Sequence, residues 1–199
     1  MAAGHETTSN ALVWTIHLLT IHTEFQHRLR EEIIGSLNGE AGEPDPGVLD
    51  RLPFLDKVFR EVMRLYAPAT HVTRMAMHDV EICGVIIPKG TPIMLLPAAI
   101  NRNPRVWGRD CDSFNPDRWD KLEGEAAGPH AWATFFLGPR MCIGQEFVKK
   151  EFKYLLACMV SRFRFERFEE KPILLVNPSV VLRPNGGLRV RVFALKLGQ

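Results

Sequence analysis

The sequence lacks three features that would each define a class of protein. Its longest apolar stretches, such as residues 93–100, are far shorter than the ~20 residues that cross a bilayer, and its N-terminus does not resemble a signal peptide. Its four cysteines form no C-x-x-C pair and no regular framework, so zinc and disulfide sites are poorly supported. Its formal net charge is only +2, with mixed signs along the chain, so nucleic acid is not an expected partner.

The composition is that of an ordinary globular protein. Apolar residues make up 46% and charged residues 24% of 199 residues, which is long enough for a complete core. Apolar side chains at helical spacing predict helices over residues 2–20, 23–37, 52–66 and 145–160. The second helix begins with a capping-box pattern, formed by Thr23 and Gln26.

The rest of the chain predicts short strands and irregular structure. Short apolar runs broken by Gly and Pro predict strands and turns over residues 71–96. Residues 103–131 are rich in Pro, Gly, Asn and Asp, and we expect a packed irregular segment there. Residues 173–183 and 188–195 are predicted to pair as a hairpin across residues 184–187. The fold class is therefore mainly α with small β-sheets.

One loop concentrates the features that favour a metal-bound thiolate. Residues 135–144 read F-F-L-G-P-R-M-C-I-G and place Cys142 just before a predicted helix, whose free N–H groups stabilise an anion at the sulfur. Gly138 and the following proline set a fixed turn, and Gly144 lets the backbone pass close to a flat ligand. Arg140 places a permanent cation two residues from the sulfur.

At this loop the chain resembles the cytochrome P450 family. The family's signature F-x-x-G-x-R-x-C-x-G is met in full by Phe135, Gly138, Arg140, Cys142 and Gly144. The resemblance implies that Cys142 is the metal ligand, holding the iron of haem b as its axial thiolate. It implies that the other four residues contribute to cofactor binding.

A second motif near the N-terminus resembles the family's oxygen-binding helix pattern, A/G-G-x-D/E-T-T/S. Residues 3–8 read A-G-H-E-T-T. The resemblance implies catalytic roles for two residues: Thr7 would hydrogen-bond dioxygen and Glu6 would relay protons. Gly4 costs a helix about 1 kcal/mol relative to Ala, and close approach of haem and dioxygen would explain its presence. We interpret His5, at the variable position, as structural.

Two further motifs concern folding more than chemistry. Glu61 and Arg64 resemble the family's E-x-x-R, and residues 116–119, P-D-R-W, resemble the P-x-R-F segment that supplies a second arginine, here Arg118. Trp119 stands where the family usually has phenylalanine. The resemblance implies a buried charge triad that fixes the irregular segment around the cysteine loop.

The family resemblance also points to cofactor carboxylates and to substrate. Arg74 lies where the family has a residue that reaches a haem propionate, and Arg140 has the same implied role. Substrate contacts are expected from residues 67–72 and from the turn at residues 185–187. Their small and apolar character suits a lipophilic substrate.

The motifs occur in the family's order and spacing but match only its C-terminal half. We therefore expect residues 1–199 to be the C-terminal portion of a single cytochrome P450 domain, without its N-terminal half and membrane anchor. The absence of a capping residue before the first helix agrees with this expectation. By family, the anchor alone would hold the protein at the cytosolic face of the endoplasmic reticulum membrane.

The activity implied by the resemblance is that of a haem-thiolate monooxygenase. Such an enzyme inserts one oxygen atom from O2 into a lipophilic small molecule, with electrons from NADPH delivered by NADPH–cytochrome P450 reductase. Two alternatives remain open. A thiolate-haem isomerase or dehydratase would keep the haem, although such members often lack the acid–threonine pair present at Glu6 and Thr7. A truncated, catalytically incompetent fragment is the other alternative, and the genomic sequence upstream of Met1 would decide it.

Overall fold

Long helices dominate the computed structural model, which describes residues 2–37, 43–170, 173, 175–176 and 181–195. The four predicted helices are confirmed to within two residues at each end, and no helix in these ranges is both long and apolar enough to cross a bilayer. In chain order the helices are α1 (Ala2–Ile21), α2 (Thr23–Ser36), α3 (Pro46–Leu49), α4 (Pro53–Leu65), α5 (Pro97–Ile100), α6 (Pro104–Trp107) and α7 (Gln145–Arg162).

The main core lies between the four long helices. Helix α4 is the central element, because it packs against α1, α2 and α7 and repeats apolar residues on one face. Phe59 on α4 meets Phe152 on α7 edge to face, with ring centroids 5.0 Å apart. The apolar face of α4 is at most 3% exposed and consists of Leu55, Val58, Phe59, Val62 and Leu65.

The predicted capping box at the start of α2 is wrong, although the helix does begin at Thr23. The N-cap residue is His22, which makes no side-chain cap bond. Gln26 is buried, and its amide nitrogen donates to the carbonyl groups of Leu19 at 2.8 Å and Phe165 at 2.9 Å. Its amide oxygen accepts the Phe165 N–H at 2.9 Å. The side chain satisfies buried backbone groups of other elements, which are more costly to leave unpaired than an exposed helix end.

Eight short strands form antiparallel pairs in the described residues, so the prediction of small sheets is confirmed. The pairs are β1 with β4, β2 with β3, β5 with β8, and β6 with β7. The bounds are β1 (Val72–Met75), β2 (Val80–Ile82), β3 (Val85–Ile87), β4 (Pro92–Leu95), β5 (Phe163–Arg167), β6 (Leu175–Val176), β7 (Arg183–Pro184) and β8 (Val190–Ala194).

The predicted hairpin across residues 184–187 is wrong. The strand after this turn, β8, pairs over five positions with β5, whereas the strand before it, β7, pairs with β6. Gly186 and Gly187 both have positive φ angles, 73° and 82°, and the chain leaves the turn away from β7. Strand β5 alternates phenylalanine with charge and offers β8 a longer matching partner than the two residues of β7.

The segment between the sheets and α7 is irregular but packed, as predicted. It contains α6 and two short 3₁₀ helices, Pro116–Asp120 and Gly124–Ala127. Trp107, Cys111 and Ala131 form a second small apolar cluster within it. This segment brings polar groups onto α4 and leads into the cysteine loop.

Candidate functional site

The site is supported by a buried ion pair on α4. Glu61 and Arg64 lie one turn apart and are both 0% exposed. The Nε and Nη2 atoms of Arg64 donate to the two carboxylate oxygens of Glu61, each at 2.8 Å. The remaining donors of Arg64 reach carbonyl oxygens of the irregular segment, those of Asn101 at 2.9 Å, Cys111 at 2.6 Å and Ser113 at 3.3 Å. A buried ion pair needs such complete pairing, and the predicted burial is confirmed.

Glu61 also receives donors from the predicted third member of the triad and its neighbour. Arg118 lies 3.4 Å from Glu61 through Nε, and Trp119 donates its indole N–H to Glu61 at 3.0 Å. Trp119 stands where the family usually has phenylalanine, and its indole adds a donor that phenylalanine lacks. Glu61, Arg64, Arg118 and Trp119 together are called the buried charge cluster below.

The outer edge of the buried charge cluster is an ion pair near solvent. Arg118 donates to both carboxylate oxygens of Asp110, at 2.7 and 3.2 Å. Burial alone would lower the pKa of Arg118, but the hydrogen bond to Asp110 and the charge of Glu61 outweigh burial and raise it. The hydrogen bond from Arg118 lowers the pKa of Asp110. Arg118 is therefore held between two carboxylates, the buried one of Glu61 and the exposed one of Asp110.

The cysteine loop, residues 135–144, closes by backbone hydrogen bonds. The N–H of Cys142 donates to the Phe135 carbonyl at 2.8 Å, and the N–H of Met141 donates to the Gly138 carbonyl at 3.1 Å. Phe135 is buried and anchors the loop against Phe59, with ring centroids 6.2 Å apart. Cys142 itself is exposed. The loop therefore fixes the backbone of the cysteine while leaving the residue accessible.

The loop leads directly into α7, as predicted. Gly144 is the N-cap residue of this helix, and the Gln145 N–H lies 3.4 Å from the Cys142 carbonyl. A Cβ atom built on Gly144 would lie 3.9 Å from the sulfur, an ordinary contact distance. Apart from chain neighbours, the sulfur is the one described atom within 4 Å of that Cβ position, so the glycine leaves space beside the sulfur.

The backbone of the loop twice enters the left-handed region. Gly138 has φ +75°, which explains why glycine suits this position. Phe136 has φ +59°, a conformation that is a genuine outlier for a bulky side chain. Phe136 lies outside the fixed positions of the signature. Its left-handed backbone would suit a small residue better than phenylalanine.

Large apolar side chains are exposed beside Cys142. Ile143 is fully exposed, and Met141 and Phe147 are 51% and 67% exposed. Arg140 is also exposed, and its guanidinium makes no bond to the described residues. Several exposed large apolar side chains close together in the sequence, next to a guanidinium, are typical of a binding site. These groups fit haem. The accessible thiol could bind its iron, the apolar side chains could contact its ring beside the glycine, and the guanidinium could bind its carboxylates.

The oxygen-binding motif lies on the first turns of α1. Thr7 is half-buried, with Oγ1 3.4 Å from the Gly4 carbonyl, while Glu6 is exposed. The hydroxyl of Thr8 donates to the same carbonyl at 2.8 Å. A Cβ atom on Gly4 would meet nothing within 4 Å, so the described residues give no packing reason for this glycine. The catalytic roles of Glu6 and Thr7 stay predictions.

The second predicted propionate ligand, Arg74, lies on β1. It is exposed, and its Nη1 donates to the Thr73 carbonyl at 3.1 Å. The strand pairs with β4, so the position of Arg74 is fixed by a sheet and not by a free loop. Arg74 and Arg140 come from different elements, and their shared role toward one cofactor stays a prediction.

The two predicted substrate segments have different neighbours. Residues 68–69, in the bend after α4, pair with Val181 and Leu182 through a β-bridge and a 3.0 Å hydrogen bond. Trp14 fixes this pairing, because its indole donates to the Leu182 carbonyl at 3.2 Å. The turn at residues 185–187 instead lines a cavity of about 260 Å³ against α1. Sequence reasoning missed Val181 and Leu182 as the partners of the bend.

Comparisons with known proteins agree with the motifs. A profile described as Cytochrome P450 matches residues 1–191. The chain is 40% identical over 196 residues to "Cytochrome P450 monooxygenase sphH" of Aspergillus fumigatus, an alignment that covers 94% of the chain and 36% of that protein. It is 35% identical over 205 residues to "Cytochrome P450 monooxygenase ptmK" of Penicillium ochrochloron, covering 98% and 40%. It is 37% identical over 200 residues to "Cytochrome P450 4F3" of Rattus norvegicus, covering 100% and 38%.

Proposed function

The chain belongs to the cytochrome P450 family, and we propose that it acts within a haem-thiolate monooxygenase that inserts one oxygen atom from O2 into a lipophilic organic substrate. The observation that carries this proposal is the cysteine loop. Its backbone is fixed by the Phe135 carbonyl, while Cys142 remains exposed beside apolar side chains. Fungal relatives named as cytochrome P450 monooxygenases support the same reaction class.

We propose that residues 1–199 are the C-terminal portion of a longer single domain. The chain spans less than half the length of the three relatives described above. The exposed apolar side chains of the cysteine loop support this proposal, because a finished domain covers such surface. Below, the longer chain is called the complete protein, and its N-terminal part would carry the membrane anchor at the endoplasmic reticulum.

The residues of the loop and of β1 fit haem b as the cofactor. Cys142 would hold the iron as a thiolate, and the guanidinium groups of Arg74 and Arg140 would bind the two propionates. Gly138 and Gly144 would shape the loop backbone beside the ring, and Phe135 would anchor it. Haem, when bound, supplies the redox centre at which dioxygen is activated, with electrons from NADPH through NADPH–cytochrome P450 reductase.

Glu6 and Thr7 are proposed to hold and exchange protons near the bound cofactor. The exposed carboxylate of Glu6 can exchange protons with solvent, and the hydroxyl of Thr7 can hold a proton at Oγ1. This acid–threonine pair favours monooxygenation over the isomerase and dehydratase alternatives. The small and apolar bend at residues 67–72 supports a lipophilic substrate.

The thiolate assignment is tested by the spectrum of the ferrous–carbonyl form of the complete protein. Replacing Cys142 by serine removes the sulfur, so we expect loss of the strongly red-shifted Soret band of a thiolate adduct. Cys83→Ser is the matched control, because Cys83 is also exposed but lies in the turn between β2 and β3. A red-shifted band that survives in Cys142→Ser would contradict the assignment.

A further inference from the structure

Asn101 is a fully buried polar residue that belongs to no motif singled out in the sequence. It follows α5 directly and is 0% exposed. Its Oδ1 accepts the backbone N–H of Ala133 at 2.8 Å, and its Nδ2 donates to Thr134 Oγ1 at 2.8 Å. Its own carbonyl accepts the Nη1 of Arg64 at 2.9 Å. Asn101 therefore joins the buried charge cluster to residues 133–134.

Thr134 completes the link back to α4. It is 7% exposed, and its hydroxyl donates to the Met63 carbonyl at 2.8 Å while accepting from Asn101. The Met63 carbonyl belongs to the last turn of α4, where carbonyl groups have no partner within the helix. The hydroxyl thus uses both its donor and its acceptor capacity, which also fixes the orientation of the Asn101 amide.

The next residue along the chain begins the cysteine loop. Phe135 follows Thr134, and its carbonyl accepts the N–H of Cys142 at 2.8 Å. We propose that Asn101 and Thr134 are positioning residues that hold the cysteine loop against α4 and so set the orientation of Cys142. This inference rests on the proposed role of Cys142 as the iron ligand. The two residues touch no reacting atom, and they act through the backbone of Phe135.

Thr134→Val in the complete protein tests the proposal, because valine keeps the shape of threonine but lacks the hydroxyl. Asn101 Nδ2 and the Met63 carbonyl would then lose a buried partner. We expect the strongly red-shifted band of the ferrous–carbonyl form to be lost several-fold faster during incubation than in the wild type. Thr134→Ser, which restores the hydroxyl, should recover the wild-type rate.

Thr15→Val is the matched control for a general loss of stability. Thr15 is 0% exposed, and its hydroxyl donates to the Ala11 carbonyl at 2.7 Å within α1, away from the loop. We expect no faster loss of the red-shifted band in this variant at the same interval below its melting temperature. Equal rates of loss in Thr15→Val and Thr134→Val, at the same interval below their melting temperatures, would overturn the positioning role.

A second pair of variants tests the proposal if Thr134→Val does not incorporate haem. Thr134→Ala and Thr134→Ser both lack the methyl group and differ only in the hydroxyl, so faster loss of the band in alanine alone supports the proposal. Equal behaviour of the two variants contradicts it. A wild-type protein without the red-shifted band would contradict the proposed function instead, so the two failures are distinguishable.

Discussion

The buried charge cluster and the cysteine loop are neighbours in the fold but differ in how far the chain satisfies them. In the cluster, Glu61 and Arg64 are 0% exposed, and every nitrogen of the Arg64 guanidinium donates within the chain. In the loop, Cys142 and Arg140 are exposed, and the Ile143 side chain is fully exposed to solvent. One region is therefore complete as it stands, whereas the other presents groups to something outside the described residues.

Because of this difference, substitutions in the two regions should have different effects. A change in the buried charge cluster leaves a buried charge or donor without a partner, so its effect falls on folding. A change at Cys142 removes an exposed side chain, so its effect falls on cofactor chemistry. A substitution in the cluster should lower stability, with any loss of haem following from unfolding, whereas a substitution at Cys142 should change the spectrum of a protein that still folds.

The largest loss of stability is expected from Arg64→Ala in the complete protein. Removing the guanidinium leaves Glu61 buried with fewer donors and frees three carbonyl oxygens of the irregular segment. We expect a loss of about 3–5 kcal/mol in the free energy of unfolding. The measurements are the denaturant midpoint and the haem content, which should both fall sharply.

Arg60→Ala is the control for this prediction. Arg60 lies one turn earlier on the same helix and pairs with Asp56 at 2.8 Å, but its side chain is 43% exposed. Asp56 is 20% exposed but keeps Lys149 at 2.9 Å and Lys153 at 2.8 Å, so loss of the half-exposed Arg60 should cost about 1 kcal/mol or less. Equal losses in the two variants would show that Arg64 behaves as an ordinary surface residue, and the contrast between the regions would fail.

A smaller loss is expected from Trp119→Phe, which removes one donor to Glu61. The indole N–H lies 3.0 Å from the carboxylate, and a hydrogen bond to a charged group contributes about 1.5–3 kcal/mol. Trp107→Phe is a matched control, because Trp107 Nε1 is buried and has no hydrogen-bond partner in the described part of the chain. Both indoles lie next to Arg64 or to each other, so a larger fall in the denaturant midpoint for Trp119→Phe supports the indole–Glu61 bond, and no difference would contradict its contribution.

Local patterns predicted the elements that lie on either side of this comparison. Helix α4 was predictable because its apolar residues repeat at helical spacing, and Glu61 and Arg64 lie three residues apart on it. The loop was predictable because its signature is contiguous. The burial of the ion pair followed from the apolar setting of α4 together with the family resemblance.

Contacts between distant residues could not be predicted in the same way. Gln26 bonds to Phe165 139 residues away, and Asn101 bonds to Ala133 32 residues away. No spacing in the sequence encodes such partners. The pairing of β8 with β5 also depends on the direction that the chain takes after the turn at residues 185–187. These interactions became visible only once the elements were packed.

A moderate effect is expected in the cysteine loop itself, at Phe136. In the left-handed region the usual order of glycine and alanine reverses, because glycine has no Cβ to clash. We expect Phe136→Gly to be more stable than Phe136→Ala by about 1 kcal/mol. Since both variants remove the ring, the difference in their melting temperatures isolates the backbone conformation.

Leu137 supplies the matched control for the Phe136 variants. It is the next residue, 47% exposed, and its φ of −138° is extended backbone that any residue adopts. At this position Leu137→Ala should be at least as stable as Leu137→Gly. The same order of alanine and glycine at both positions would contradict the left-handed conformation of Phe136.

The smallest effect is expected at Asp110, where the buried charge cluster reaches solvent. Asp110 pairs with Arg118 at 2.7 Å, but its side chain is 55% exposed, so solvent screens the pair and Asp110→Asn should cost only about 0.5 kcal/mol. Arg118 lowers the pKa of Asp110, so the folded value lies below the ordinary aspartate value of about 3.9. The contribution is therefore fully present above that ordinary value and is lost as pH falls through the lowered folded value.

The pH and salt dependence of the Asp110→Asn effect distinguishes an edge residue from a member of the cluster. The difference in unfolding free energy between wild type and variant should stay constant from about pH 7 to 5, because both pKa values lie below that range. It should shrink as salt is raised, since exposed charges are screened. A loss as large as that of Trp119→Phe, unaffected by salt, would place Asp110 within the buried charge cluster. The buried charge cluster would then include Asp110 and would not end at Arg118.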